Sequence, residues 1–106
     1  AASGKTRFLT ANIYISASLY VGSYGYGAAS AGARLLVDGA VVSTKTIAGA
    51  PIATGSNSGT ATAVGVVGFS ATIPGDNRTH TFRFEWDGGD SSCVAILFAE
   101  TTGSIY

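Results

Sequence analysis

The chain has 106 residues and a mass of 10.6 kDa, room for one domain at the usual length of about 100–150 residues. It is 46% hydrophobic but only 11% charged, where soluble domains carry about 25% charged residues, and six basic side chains balance six acidic ones. That neutrality excludes the electrostatic footprint of a nucleic-acid or anionic-membrane binder, and no apolar run nears the roughly 20 residues of a helical membrane span.

Every periodicity along the chain is that of β-structure. From Leu9 to Val21 the odd positions (Leu9, Ala11, Ile13, Ile15, Ala17, Leu19, Val21) are all apolar, which predicts a long strand with one buried face. Its other face carries Phe8, Tyr14 and Tyr20 and no charge after Arg7, so it is expected to be half-buried. Residues 22–32 read as a glycine-rich loop bearing Tyr24 and Tyr26. Asp38-Gly39 between two apolar runs predicts a type I′ hairpin joining strands over 34–37 and 40–47. A second small-residue loop covers 48–60. The strand that follows, to Ile73, is interrupted by Gly65 and Gly68, which predicts a bulge or a close approach of another segment.

Pro74 to Asn77 is a turn by composition. Thr79 to Trp86 alternates, with His80, Phe82, Phe84 and Trp86 on the face expected to be buried. Cys93 to Ala99 is apolar throughout, as expected of a central strand or of one buried at a subunit contact. The last six residues read as a tail docked by Ile105 and Tyr106. No helical periodicity of useful length exists. The fold class is therefore all-β: a single antiparallel sandwich or jelly roll of about six to eight strands spanning 1–106.

Catalysis finds little purchase. His80 is the single histidine, so any nucleophile–histidine scheme must pass through it, and its register with three aromatics favours a structural role. A lesser reading brings three copies of His80 to a symmetry axis around an ion. One cysteine, Cys93, excludes an internal disulfide and, with one histidine, a zinc site. Asp87 and Asp90 flank a turn too poor in oxygen ligands for calcium. Asn77-Arg78-Thr79 matches a glycosylation acceptor but also suits a turn. The chain is expected to need no cofactor and to be no enzyme. The tyrosine-bearing loop points elsewhere: flat amphipathic rings spaced by glycine stack on sugar faces or anchor protein contacts at small entropic cost. The alternative is that these rings pack within the molecule. Scarce charge at zero net charge also favours association into a closed oligomer.

Ala33-Arg34-Leu35-Leu36-Val37-Asp38-Gly39-Ala40-Val41-Val42, then Ile73-Pro74-Gly75, then Thr79-His80-Thr81-Phe82-Arg83-Phe84, resemble the small β-sandwich domains at the ends of bacteriophage tail fibres. Those domains are similar to a tumour-necrosis-factor-like jelly roll. The resemblance covers about two-thirds of the chain, and the long tyrosine loop and the final six residues depart from it. It implies a homotrimer at the tip of a virion tail fibre, outside the cell, that binds a bacterial surface glycan or outer-membrane protein. Recognition is expected to rest on Tyr20, Tyr24, Tyr26, Trp86 and Asp87. The absence of methionine and the start at Ala1 suit a piece excised from the distal end of a longer chain. Trp86-Asp87-Gly88 ahead of an apolar strand is similar to phage capsid decoration proteins, which keeps a structural, fibre-stabilising module open. A carbohydrate-binding module of a secreted enzyme is the other alternative.

Overall fold

The computed structural model describes residues 1–87, 93–97 and 101–106. They form nine strands and no helix: β1 (Arg7–Val21), β2 (Tyr26–Gly27), β3 (Ser30–Val37), β4 (Ala40–Ala48), β5 (Ile52–Ala53), β6 (Gly59–Ile73), β7 (His80–Asp87), β8 (Cys93–Leu97) and β9 (Thr101–Ile105). The all-β antiparallel reading holds. The count rises above eight because β2 and β5 are two-residue pieces inside segments expected to be loops.

Two sheets face each other. One has the order β6-β1-β8, the other β4-β3-β7-β9, and β2 pairs with β5 at one end. β1 and β6 stay in register over fifteen pairs, from Arg7↔Ile73 to Val21↔Gly59. Such unbroken pairing follows from matched alternation, since a one-residue slip would turn every apolar side chain to the wrong face. Their inward positions, including Ile13, Ile15, Ala17, Leu19, Val67 and Phe69, meet Ala31, Ala33, Leu35 and Phe84 of the opposite sheet. Phe69 lies 5.6 Å from Phe84, which lies 5.9 Å from Phe82 in an edge-on contact. Ala17, Ala61, Ala63, Ala31 and Ala33 give the core unusually small side chains. The result is a rod of 64 × 17 × 17 Å with a radius of gyration of 17.8 Å, against about 13 Å for a compact domain of this length.

The Asp38-Gly39 hairpin is present, and both turn residues have positive φ (53° and 82°), as a type I′ turn requires. Gly65 is a point of close approach, with Ile47 across it, but β6 carries no bulge at either glycine. The register shift occurs in the hairpin instead, between Leu35 and Leu36. Gly49 shows where the sheets come closest. Its N–H donates to the Ala29 carbonyl at 3.0 Å, and a Cβ there would land on the Thr62 carbonyl oxygen.

Three expectations change. Of the two alternatives for the last apolar run, the central strand gives way: among the described residues β8 pairs with β1 alone and stands at the edge of its sheet, and residues 98–100 lie outside the described residues. The closing segment is a strand, β9, paired with β7 over His80↔Ile105 to Phe84↔Thr101, because a free ladder edge on β7 accepts it. The outer face of β1 is more exposed than expected: Phe8, Tyr14 and Tyr20 are 75%, 53% and 71% accessible, while Ser16 and Ser18 are half-buried. The two layers are used up facing each other, and among the described residues no third layer covers that side.

Leu35 and Ile15 are fully buried at the centre of the core. Leu35→Ala or Ile15→Ala is expected to destabilise the fold by about 2–5 kcal/mol. Urea unfolding at fixed protein concentration checks this, and a loss below 1 kcal/mol would mean that the sheets collapse onto the gap.

Candidate functional site

The rod has two chemically different ends. At one, β1 runs out at Val21 opposite Gly59, and the chain turns through residues 22–25 before β2. The turn is closed by the Gly25 N–H donating to the Gly22 carbonyl at 3.1 Å. Residues 54–56 hold it from the side. Tyr24 N–H donates to the Gly55 carbonyl at 2.8 Å, Thr54 N–H to the Gly25 carbonyl at 2.9 Å, and the Ser23 hydroxyl to the Ser56 carbonyl at 3.0 Å. The Thr54 hydroxyl sits between the strands of this turn. It donates to the Gly22 carbonyl and accepts from the Gly25 N–H at 2.7 Å. A side chain at position 25 would press against the Gly22 carbonyl at 2.9 Å, so glycine is needed there for packing.

What this scaffold presents is tyrosine. Tyr20, Tyr24 and Tyr26 are 71%, 80% and 75% exposed, with none folded into the core. Tyr24 has φ of 55°, a left-handed backbone that costs a non-glycine residue of order 1 kcal/mol and persists only where the surroundings impose it. A polar, loop-forming residue would avoid that cost. The backbone is thus bent to stand the Tyr24 ring outward. Three amphipathic rings on a hydrogen-bonded frame lose little entropy on meeting a partner surface.

Trp86 does not join them. It pairs with Ala33 in the middle of its sheet and lies half-buried against the core. Asp87 closes β7 opposite Gly32, and its side chain falls outside the described residues. Thr54 was invisible to sequence reading, since nothing in a small-residue loop marks one threonine as the post that another loop hangs on.

The opposite end holds a cluster of ionisable groups around His80. His80 is buried, as its register with Phe82 and Phe84 predicts. Its Nδ1 meets Asp38 Oδ2 at 2.5 Å and its Nε2 meets Asp76 Oδ1 at 2.9 Å. Asp38 also accepts the Thr81 N–H at 3.0 Å, and Asp76 accepts the Arg78 N–H at 3.1 Å. The first residue closes the cluster: its amino group donates to the Pro74 and Arg78 carbonyls and lies 3.9 Å from Asp76. The hydrogen bond to Asp38, then that to Asp76, raises the His80 pKa above its usual 6.5. The hydrogen bond to His80 in turn holds both carboxyls below their usual 3.8.

This cluster ties the β3–β4 turn to the 74–79 turn. Both ring nitrogens face carboxylates, so neither is presented to an ion or a substrate. Among the described residues no group of three His, Cys, Asp or Glu could hold a metal ion. Asn77, in the glycosylation pattern, is exposed but accepts the Tyr106 hydroxyl at 2.5 Å. A groove of about 470 Å³ on the hairpin side, between Leu36, Phe82 and Gly103, has Arg83 as its ionisable side chain, which is too little for acid–base work.

Comparison of the chain with protein-family models, with curated proteins and with solved structures finds no match.

The sign of the His80 shift fixes a pH dependence. With its folded pKa raised, His80 contributes fully below about pH 6.5, and that contribution fades as pH climbs through the raised value. The two aspartates, with pKa values lowered, contribute fully above about 3.8 and fade as pH falls through their lowered values. The midpoint of thermal unfolding is therefore expected to peak between about pH 4 and 6.5 and to fall toward pH 9, while His80→Gln flattens the fall. Parallel profiles for the two proteins would show that the cluster carries no linkage.

Proposed function

We propose that this chain is a non-enzymatic adhesion module, the receptor-binding tip of a bacteriophage tail fibre. The observation that carries the reading is the trio Tyr20, Tyr24 and Tyr26, exposed at one end of the rod on the close of β1, the hydrogen-bonded turn over 22–25 and the start of β2. Their chemistry suits the ring faces of a bacterial surface glycan, or an apolar patch on an outer-membrane protein. The likeness of the Leu35–Val42 hairpin and the Thr79–Phe84 strand to tail-fibre tip domains supplies the biological setting, a virion outside the host cell. Trp86 and Asp87 are secondary in this reading because they do not share the tyrosine turn.

The test is adsorption of labelled protein to a panel of bacterial cells and to immobilised surface glycans. Tyr24→Ala with Tyr26→Ala is expected to reduce binding by about 30-fold or more, as loss of central anchors does. The strand signature in circular dichroism should be unchanged. Unchanged adsorption would defeat the site assignment. Thr54→Val, which removes the hydroxyl's contacts with Gly22 and Gly25 while leaving every ring in place, is expected to weaken binding by loosening the turn. It should also speed amide exchange at Tyr24 and Gly25 with little change in β1 and β6. Exchange unchanged at these two amides would remove Thr54 from that role.

A further inference from the structure

The outer face of β1 and β6 is the largest feature that the tyrosine turn leaves unexplained. The register places Phe8 opposite Thr72, Thr10 opposite Ser70, Asn12 opposite Gly68 and Tyr14 opposite Val66. Ser16 then faces Val64, Ser18 faces Thr62, and Tyr20 faces Thr60. The larger apolar members are open to solvent, with Val64 and Val66 59% and 63% accessible and Tyr14 53%. No charged residue lies between Phe8 and Ala33 or between Thr46 and Gly75, so the whole strip is free of charge. The outer face of the other sheet is built differently. There Arg34 and Arg83 both pair with Glu85, which is how a solvated β face normally looks.

The strip has the anatomy of an interface. Tyr14 and Val66 are the middle residues of their fifteen-residue strands and stand directly opposite each other, with Val64 alongside. Serine, threonine and asparagine flank this apolar centre along the two strands, with Phe8 and Tyr20 as further exposed rings toward the ends of the strip. Fifteen residues at about 3.3 Å give a strip about 50 Å long, and two strands with their side chains make it about 14 Å wide. That is about 700 Å², close to the roughly 800 Å² that each partner buries in a stable complex. The chain also exposes 6072 Å², more than the roughly 5,500 Å² of a compact monomer of its mass.

We infer that this strip is where copies of the chain join, face to face. A surface without charge offers a charged partner nothing to pair with, whereas a second identical strip buries no unmatched ion against it. Because the apolar cluster is central, a symmetric pairing sets Tyr14 of one copy beside Tyr14 of the next in either orientation. Three copies also fit. Faces about 17 Å wide around one axis leave the axis roughly 5 Å from each, half the usual spacing of packed sheets. The inference does not rest on the adhesion reading: it is centred on Tyr14 and Val66 in the middle of the flank, and the two surfaces share Tyr20 alone.

Sedimentation of the whole chain at micromolar concentration tests it. The expected particle is at least twice 10.6 kDa for the native sequence and falls to a single copy for Tyr14→Lys or Val66→Lys. Thr44→Lys, on the other sheet, should keep the assembled mass. A single-copy native protein overturns the proposal, as does an assembly that both strip variants leave intact. A second measurement guards against misfolded variants. With Cys93→Ser, a Tyr14→Cys protein is expected to form a disulfide-linked pair under mild oxidation, while a Thr44→Cys protein stays single. Equal cross-linking at both positions, or none at Tyr14→Cys, overturns the assignment.

Discussion

Fifteen consecutive pairs between β1 and β6 set the dimensions of this molecule. Once that ladder forms, its two ends are some 50 Å apart and its two faces are committed. The inward face is apolar at nearly every position and must be covered by a second sheet. The outward face inherits whatever the even positions of β1 and β6 happen to be. A chain of 106 residues has only enough material to cover one side of so long a ladder. The elongated shape, the exposed flank and the separation of the two ends all descend from that shortage.

The small core side chains follow from the same constraint. Alanines at 17, 31, 33, 61 and 63 let the sheets lie close, and Gly49 lets the chain leaving β4 rest on the Thr62 carbonyl. Thin packing buries less apolar area per residue than a leucine-rich core would, at roughly 25 cal/mol per Å². The aromatic group of Phe69, Phe82 and Phe84 offsets this locally, where the hairpin and β7 meet β6. Core and clamp are linked there, since Phe82 and Phe84 share a strand with His80.

The two ends divide the chemistry. At the His80 end, Asp38 and Asp76 hold the ring and fasten two turns. At the other end the order of residues 22–25 comes from backbone hydrogen bonds and the hydroxyls of Ser23 and Thr54. Aromatic rings on so ordered a frame lose little entropy on contact with a partner surface. The structure spends backbone strain at Tyr24 and nowhere else near that tip, among the described residues.

Much of this was written in short-range pattern. Alternation from Leu9 to Val21 and from Thr79 to Trp86 determined two strands and their buried faces, including the burial of His80, because period-two order is local and the core enforces it. Asp38-Gly39 determined the hairpin for the same reason. Loop composition placed Tyr24 outside the strands but missed the short strand that Tyr26 opens, and it left open whether the rings would fold inward. Contacts between distant segments were not legible. That Asp38 reaches His80, that Thr54 props residues 22–25 and that β9 completes a sheet all depend on which strands become neighbours. Alternation specifies which face of a strand is buried but not which strand lies beside it, so only the assembled sheets could decide those meetings.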